Sequence, residues 1–240
     1  MSITGARAAR STYSSAIVDA REYTDWILNI FAESIRGQIA EIGIGHGSYA
    51  HRLANRSGYT GVDIDPVAVE EARARMPSGR FVVADIACRN AMQVVGFDSF
   101  DTVLCFNVLE HVPADRDSLA NLLNLLRPSG RLLLFVPAHP ALYGDLDRLA
   151  GHQRRYDKGM IRQVFSGLPA TLRRADYVNP IGGLGWWLNA RLRHDDLDST
   201  AVNAQIRIFS KFILPLSRKV MPLTKKFFGQ SLAVEAERLS

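Results

Sequence analysis

The segment 41–47, with the sequence EIGIGHG, places an acid before three glycines at every second position. Glycine has no Cβ, so the backbone of such a turn can bend sharply and approach a ligand closely. The apolar residues 38–42 read as a short strand before the turn, and a helix is expected to begin near Ser48. A helix N-terminus offers free N–H groups and the positive end of the helix dipole, which suit carboxylate or hydroxyl oxygens. The segment therefore predicts a ligand-binding turn between a strand and a helix.

Asp63 ends a second apolar run about 20 residues beyond the glycine turn, where a doubly wound fold presents an acid to a ribose diol. A carboxylate accepts hydrogen bonds from both vicinal hydroxyls. A dinucleotide-binding turn would have the pattern G-x-G-x-x-G, but Ser48 occupies its last position. The two features together indicate a ligand that carries a ribose, and the serine argues against a pyrophosphate.

Three further landmarks follow at helix-length intervals. The apolar run 81–86 carries Asp85 near its tip, the run 97–106 leads into Asn107, and the segment 126–137 reads LRPSGRLLLFVP. The five landmarks cover roughly residues 38–137 and resemble the class I S-adenosylmethionine-dependent methyltransferases. The first motif of that family is an acid followed by G-x-G-x-G, and its fifth strand is entered through L-x-P-G-G-x-L.

Strands alternate with predicted helices, which indicates a mostly parallel sheet with right-handed crossovers. The resemblance implies an α/β, doubly wound, Rossmann-like fold with a mostly parallel seven-stranded sheet and a helical insertion before the last strand. Ligands of such sheets bind beyond the carboxyl ends of the strands, where the landmarks fall. We therefore expect the glycine turn, Asp63, Asp85 and Asn107 to share one crevice.

The resemblance also implies the cofactor, S-adenosyl-L-methionine, with S-adenosyl-L-homocysteine as its product. In the family, an acid at the position of Asp85 binds the adenine amino group. The residues predicted to hold the cofactor are Glu41, Gly43, Ile44, Gly45, Gly47, Asp63, Ile64, Asp85, Ile86 and Asn107. No metal site is predicted.

The whole chain, residues 1–240, is interpreted as a single methyltransferase domain. Its predicted parts, in chain order, are an N-terminal helical cap (12–36), a cofactor-binding half (37–137), an acceptor-side half (138–178), a basic helical insertion (179–229) and a final antiparallel edge strand (230–236).

Methyl transfer from a sulfonium is an in-line displacement, so the protein must align the acceptor and exclude water. An acceptor that must lose a proton needs a base with a pKa near neutrality, for which histidine is suited. His139 follows the fifth strand and is expected over the crevice, His152 begins the segment HQRRY, and His111 lies in LEHV. We predict these three histidines as catalytic residues, with a scaffold or cofactor-side role as the alternative for His111.

The segment 152–156 contains two arginines, a histidine and a tyrosine within five residues. Such a group could form a fork for a carboxylate or phosphate of the acceptor. The alternative is a solvated loop whose charges pair with Asp145, Asp147 or Asp157. This stretch and the segment GWWLN at 185–189 resemble a bacterial subgroup of these methyltransferases. The predicted substrate-binding residues are Arg154, Arg155, Tyr156, Tyr143 and Trp186, with packing of the insertion as the alternative for the tryptophan.

The positive charge of the chain is concentrated towards its C-terminus. The chain has 29 basic and 24 acidic residues, and six of the basic residues fall between positions 199 and 234, where there is no acid. Apolar residues recur at helical spacing over 206–220, which predicts a basic amphipathic helix. Such a helix could cover the active site, contact a second copy in a homodimer, or rest on an anionic membrane surface through 205–228.

A nucleic-acid substrate is disfavoured. The fourth strand is followed by NVLE, where base methyltransferases carry (Asp/Asn)-Pro-Pro-(Tyr/Phe), and the basic residues are confined to one stretch. No apolar run approaches the ~20 residues of a membrane span, and the first residues lack an apolar signal region. We therefore expect a cytoplasmic monomer or homodimer that methylates O or N of a small-molecule acceptor. The alternatives are a lipid-linked or nucleic-acid substrate, or a non-catalytic protein that binds the cofactor.

Overall fold

A computed structural model of the 240-residue chain describes residues 21–54, 58–189 and 213–240. The described helices are α1 Arg21–Ile30, α2 Ala50–Leu53, α3 Pro66–Arg75, α4 Arg89–Val95, α5 Asp115–Leu125, α6 Asp145–Leu149, α7 Lys158–Phe165, α8 Pro180–Asn189 and α9 Leu214–Thr224. The strands are β1 Ile39–Ile42, β2 Tyr59–Asp63, β3 Arg80–Val83, β4 Phe100–Phe106, β5 Leu126–Pro137, β6 Ala170–Val178 and β7 Ser231–Arg238. Short 3₁₀ turns follow β4 and β5, at Leu109–His111 and Pro140–Leu142.

The strands form one seven-stranded sheet in the order β3-β2-β1-β4-β5-β7-β6. β1 pairs in parallel with both β2 and β4, and its last residue, Ile42, is the partner of Val62 and Cys105. The carboxyl ends of these three strands therefore lie side by side at one end of the sheet. β7 runs antiparallel to both of its neighbours, β5 and β6. The predicted doubly wound, mostly parallel seven-stranded sheet is confirmed.

The prediction that the final strand lies at the edge of the sheet is wrong. β7 lies between β5 and β6, and β6 forms the edge. Leu232, Ala233 and Val234 of β7 are fully buried, so both faces of this strand are covered. β6 instead exposes Thr171 and Arg173 in its first half, which suits an edge that faces water. The apolar final strand is thus placed inside the sheet because burial on both faces stabilises it.

Two hydrophobic clusters cover the two faces of the sheet, and the alternation of side chains along β5 separates them. Leu132 and Leu134 belong to the first cluster, whereas Leu133 and Phe135 belong to the second. Helices α4, α5 and α7 contribute to the first cluster, and α1, α3 and α9 to the second. The continuous apolar run of β5 therefore reflects a strand that is buried on both sides.

The helices follow the sequence signals where those signals are strong. α3 spans residues 66–75, with Pro66 in its first turn, and Asp65 Oδ1 accepts a hydrogen bond from Val67 N at 2.9 Å. The helix after the glycine turn begins at Ala50, two residues later than expected. Helices α4 and α6 were not predicted. Cys88 gives α4 no side-chain cap, and α6 has only five residues, so neither shows a clear start or period.

Two helices of the predicted insertion are described, and Asn179 ties them together. Its Oδ1 accepts from Ser217 Oγ of α9 at 2.9 Å and from Gly182 N of α8 at 3.1 Å. Leu223 of α9 and Phe227 beyond it are exposed. Residues 205–212 of the stretch predicted to contact membranes lie outside the described residues. Among the helices that the structure describes, none has the length and apolar character needed to cross a bilayer.

Candidate functional site

The glycine turn begins at the end of β1 and stays bonded to β2 before it bends away. The backbone N–H groups of Gly43 and Ile44 donate to the carbonyl of Val62 at 2.7 and 3.2 Å. The φ angles of Gly43, Gly45 and Gly47 are +77°, +46° and +78°. Residues with a Cβ disfavour this left-handed region, which explains the three glycines.

The surroundings of Gly43 and Gly45 require glycine for different reasons. A Cβ on Gly43 would overlap Cγ2 of Val108, so packing within the protein requires glycine there. Around the position that a Cβ of Gly45 would take, no atom of the described residues lies within 4 Å. This open space lets a ligand approach the bare backbone of the turn.

Asp63 lies beside the turn. Its Oδ2 accepts a hydrogen bond from Gly45 N at 2.8 Å, and its Oδ1 accepts one from Asp65 N at 2.9 Å. The side chain is half-buried, and each carboxylate oxygen has a second lone pair. The carboxylate is therefore fixed by the backbone and still able to accept from a ligand.

The other predicted cofactor residues follow along the same end of the sheet, because β3, β2, β1 and β4 are consecutive. Asp85 lies just beyond β3, and its Oδ1 accepts from Ala87 N at 2.8 Å. Ile64 is 64% exposed beside Asp63, whereas Ile86 is buried. Asn107 is exposed beyond β4 with φ of +53°. These residues therefore lie in one row along the carboxyl ends of β3, β2, β1 and β4.

Glu41 lies in the interior, beneath the surface of the turn. It is 3% exposed, and its Oε2 accepts a hydrogen bond from the Tyr59 hydroxyl at 2.7 Å. Its Oε1 has no hydrogen-bond partner among the described residues. Burial raises the pKa of Glu41 to about 8, with the bond from Tyr59 opposing and the charge of Asp63 adding to the rise. Its predicted contact with a cofactor would have to be made from inside the fold.

His111 and His152 come together beside a buried acid, Glu110. The two imidazoles meet edge to face, with ring centroids 4.9 Å apart. His152 Nδ1 lies 2.8 Å from Asp147 Oδ1, and His152 Nε2 lies 3.9 Å from Glu110 Oε1. Burial and the neighbouring His152 lower the pKa of His111 to about 4, so its ring is neutral at neutral pH. Burial raises the pKa of Glu110 to about 7.

His139 is not part of this pair. Its ring is stacked between Tyr177 and Phe228, with centroid distances of 4.5 and 5.3 Å. The residue has φ of +60°, and its N–H donates to the carbonyl of Tyr156 at 2.9 Å. Its Nε2 is buried without a hydrogen-bond partner in the described part of the chain, and burial lowers its pKa. The structure therefore separates His139 from the other two predicted catalytic histidines.

Arg155 and Tyr156, predicted as substrate-binding residues, are buried and bond within the protein. Arg155 is 2% exposed, and its Nε donates to both carboxylate oxygens of Asp147 at 2.9 Å. Its Nη1 donates to the carbonyl of Ala138 at 3.1 Å. The Tyr156 hydroxyl, also buried, donates to the carbonyl of Leu109 at 3.3 Å. A guanidinium inside a protein must be paired, and Asp147 is the partner of this one.

Arg154 and Tyr143 are partly exposed, and both bond within the protein. Arg154 Nη1 lies 2.7 Å from Asp115 Oδ2, and the Tyr143 hydroxyl donates to the carbonyl of His152 at 2.7 Å. The remaining predicted substrate residue, Trp186, has its side chain outside the described residues. Of the acids weighed as partners for a charged loop, Asp147 is confirmed, but the ion pair is buried rather than solvated.

Glu110 and Asp147 belong to the histidine cluster, although the sequence analysis selects neither as a site residue. Glu110 directly precedes His111 in the 3₁₀ turn after β4, and two adjacent polar residues there are a usable signal for a polar site. Asp147 lies five residues before His152, and no periodic pattern links the two positions. Helix α6 is the element that brings Asp147 to the ring of His152.

The different constraints on Gly43 and Gly45 predict different defects in their alanine variants. Gly43→Ala adds a methyl group against Val108 at a left-handed position, so the free energy of unfolding should fall by about 2–5 kcal/mol. Gly45→Ala has only the backbone penalty of about 1–2 kcal/mol, but its methyl group occupies the ligand side of the turn. We expect urea unfolding to show the larger loss for Gly43→Ala and calorimetry to show lost cofactor affinity in folded Gly45→Ala. Equal stabilities would contradict this distinction.

The burial of Arg155 predicts that its removal destabilises the protein. Arg155→Ala leaves Asp147 buried without its partner, which should lower the free energy of unfolding by about 3–5 kcal/mol. Arg148→Ala is the matched control, because Arg148 pairs with Asp145 at 59% exposure and should lose less than about 1 kcal/mol. Chemical denaturation of both variants measures the difference. A stable Arg155→Ala with weakened acceptor binding would restore the substrate-binding prediction.

The raised pKa of Glu41 predicts a pH-dependent stability. Folding raises the pKa of Glu41 from 4.5 to about 8, so the folded state holds this proton more tightly than the unfolded state. The stabilisation from this group is complete below pH 4.5 and is lost as the pH rises towards 8. We expect the free energy of unfolding to fall less across this window in Glu41→Gln than in the wild type. Glu70→Gln, at an exposed position, is the control, and identical pH profiles for all three proteins would contradict the assignment.

Comparison with known proteins bears on this site. Residues 40–132 match a family model described as a methyltransferase domain. A mitochondrial ubiquinone biosynthesis O-methyltransferase from Schizosaccharomyces pombe is 32% identical over 103 residues, covering 40% of this chain and 36% of that protein. Trans-aconitate 2-methyltransferase from Escherichia coli is 31% identical over 102 residues, covering 41% of this chain and 38% of that protein. The chain thus spans less than half the length of these curated relatives.

Solved structures show the same architecture over most of the chain. A SAM-dependent methyltransferase from Archaeoglobus fulgidus has a TM-score of 0.59 at 16% identity, covering 91% of this chain and 94% of that one. The N-methyltransferase NodS from Bradyrhizobium japonicum has a TM-score of 0.54 at 16% identity, covering 94% and 99%. At such identities the likeness concerns the fold. The family model matches the strands that carry the glycine turn, and the described fold agrees with it. Residues 40–132 therefore belong to the methyltransferase domain family, and S-adenosylmethionine is the cofactor that this match supports.

Proposed function

We propose that this chain transfers the methyl group of S-adenosylmethionine to an oxygen or nitrogen of a small-molecule acceptor. The observation that carries the proposal is the bond between the Asp63 carboxylate and Gly45 N–H, beside open space at the turn. A fixed, half-buried carboxylate next to a backbone without a side chain suits a nucleoside whose ribose hydroxyls need an acceptor. One relative is an O-methyltransferase by name, which favours oxygen as the methylated atom.

The residues along the end of the sheet suit the parts of the cofactor in order. Asp63 is proposed to accept from the ribose hydroxyls, and Asp85, one strand further, from the adenine amino group. The exposed side chain of Ile64 offers an apolar surface for a planar base, and covering it is favourable by about 25 cal/mol per Å² of apolar surface. Gly45, with nothing above it, leaves room for the remainder of the molecule.

The acceptor side is proposed to lie at the turn after β4 and the segment after β5. When bound, S-adenosylmethionine supplies a methyl group on a sulfonium, which is already an activated leaving group. The chain's own residues therefore have to align the acceptor and exclude water. His111 and His152 are partly exposed there, and both are proposed to contact the acceptor. His139, stacked between two aromatic rings, is proposed as a positioning residue of the wall.

The low pKa of His111, about 4, limits what this residue can do by itself. A base is most effective when its pKa lies near the working pH. His111 therefore holds a lone pair available at neutral pH, but it is a weak proton acceptor for an alcohol. The pair of histidines is better suited to hold an acceptor atom than to deprotonate it unaided.

Substitution of Asp63 tests the proposed function. Asp63→Ala removes the ribose acceptor, and loss of a bond to a charged group costs about 1.5–3 kcal/mol, so the dissociation constant for S-adenosylhomocysteine should rise by roughly 10- to 100-fold. Isothermal titration calorimetry measures this constant. Methylation of a panel of hydroxyl and amine acceptors, followed by mass spectrometry, should fall in parallel.

Asp65→Asn is the matched control for this experiment. It lies two residues away and keeps the cap on α3, because asparagine accepts from Val67 N as aspartate does. Its affinity for S-adenosylhomocysteine should equal that of the wild type. Tight binding by Asp63→Ala would remove the ribose role, and binding without methylation of any acceptor would favour a protein that only senses the cofactor.

A further inference from the structure

The carboxyl group of Glu110 lies in an unusual environment for an acid. The residue is 0% exposed, and neither Oε1 nor Oε2 has a hydrogen-bond partner among the described residues. A buried carboxyl group without a hydrogen-bond partner is unfavourable, and coordination of a metal ion is one way in which such a group is satisfied.

His152 turns its second ring nitrogen towards this acid. Its Nδ1 lies 2.8 Å from Asp147 Oδ1, and a carboxylate only accepts hydrogen bonds, so Nδ1 carries a ring proton. Nε2 lies 3.9 Å from Glu110 Oε1, which is beyond hydrogen-bond distance. A metal ion bound to both atoms would fit between them.

His111 completes the group. One ligand atom from each of Glu110, His111 and His152 lies within 4.8 Å of the other two. Ligand atoms about 2.1 Å from a tetrahedral metal ion are about 3.4 Å apart, so small side-chain rotations close this geometry. The contact between His152 and Asp147 corresponds to the carboxylate that commonly orients a metal-bound histidine from behind.

We propose that Glu110, His111 and His152 bind a divalent first-row transition-metal ion at the acceptor side of the crevice. Two imidazoles and one carboxylate form a ligand set that suits Zn²⁺, Mn²⁺ or Fe²⁺ and leaves coordination positions open. The proposal revises the sequence-based expectation that no metal site is present. These residues cannot be grouped from their positions along the chain, because His152 lies 41 positions beyond His111.

The open positions suggest what the metal does. His111 and His152 are partly exposed while Glu110 is buried, so the site opens on the side of the histidines. A hydroxyl or carboxylate oxygen of the acceptor could complete the coordination there. A divalent cation lowers the pKa of a bound hydroxyl, which would activate the oxygen of the acceptor as a nucleophile.

This role deepens the proposed function and rests on it, whereas metal binding itself does not. The acceptor hydroxyl would release its proton to solvent, its oxygen would form a bond to the methyl carbon, and the carbon–sulfur bond would break with its electron pair on sulfur. The acceptor class is therefore a small molecule with a metal-binding oxygen, such as an alcohol next to a second oxygen or a carboxylic acid.

Cobalt titration of the full chain tests the site. The protein, stripped with a chelator, is titrated with Co²⁺ and followed by visible absorption and calorimetry. A Cys88→Ser background removes the exposed thiol as a competing ligand. We expect one equivalent of Co²⁺ with the absorption of a nitrogen and oxygen ligand set. His111→Ala and His152→Ala should each weaken binding by more than about 100-fold, since loss of an outer-shell partner alone costs 10- to 100-fold.

His139→Ala is the matched control, because it removes a histidine outside the cluster and should leave Co²⁺ affinity unchanged. Glu110→Gln covers the case in which the alanine variants fail to fold. It removes the buried charge, so it should fold at least as stably as the wild type and still lose the metal. A wild-type protein that binds no Co²⁺, or a Glu110→Gln variant that binds it normally, would overturn the proposal.

Titration with S-adenosylhomocysteine in the same preparations separates this inference from the proposed function. Cofactor binding without Co²⁺ binding would contradict the metal site and leave the methyltransferase proposal in place. Co²⁺ binding without cofactor binding would contradict the methyltransferase proposal and leave the metal site in place. If both bind, methylation of hydroxy-acid acceptors should stop on chelation and return on addition of Mn²⁺ or Zn²⁺. Unchanged turnover in the chelated enzyme would remove the metal from the reaction.

Discussion

The ion pair between Asp147 and Arg155 is the contact on which the arrangement of the chain after β5 depends. Both residues are almost fully buried, and an interior pair is stable only when its hydrogen-bonding groups are satisfied. Arg155 therefore also binds the carbonyl of Ala138, at the end of β5, and Asp147 binds the ring of His152. One pair of charges thus fixes the position of α6, the end of β5 and the orientation of an imidazole.

The segment around this pair joins two strand ends that would otherwise be independent. Gln153 N donates to the carbonyl of Glu110, beyond β4, and Tyr156 N donates to the carbonyl of Pro137, at the end of β5. The loop therefore extends the sheet past its own strands and brings Glu110 and His152 together. In a sheet of this kind the strand ends set where a ligand binds, but loops of this type decide which side chains it meets.

At the glycine turn and Asp63, the conformation of the backbone is the main constraint on which residues fit. Gly43 is glycine because Val108 fills the space of a Cβ, and Gly45 is glycine at a place that no described residue occupies. Asp63 fixes the turn through Gly45 N and keeps further lone pairs for a ligand. Local chain geometry and one carboxylate are sufficient to form the glycine turn, whereas the cluster of Glu110, His111 and His152 requires a network of long-range contacts. The local sequence therefore specifies more of the turn than of the cluster.

The sequence by itself determined the glycine turn, the acids at the strand ends and the alternation of strands with helices, because these depend on local backbone preferences and on the period of apolar residues. The start of α3 is equally local, because Pro66 and Asp65 act within a few residues. Only the tertiary structure decided that β7 lies inside the sheet, that Arg155 is an interior partner of Asp147, and that His139 stacks apart from His111 and His152. Those outcomes depend on burial and on contacts between residues distant along the chain, and neither leaves a pattern in the neighbouring residues.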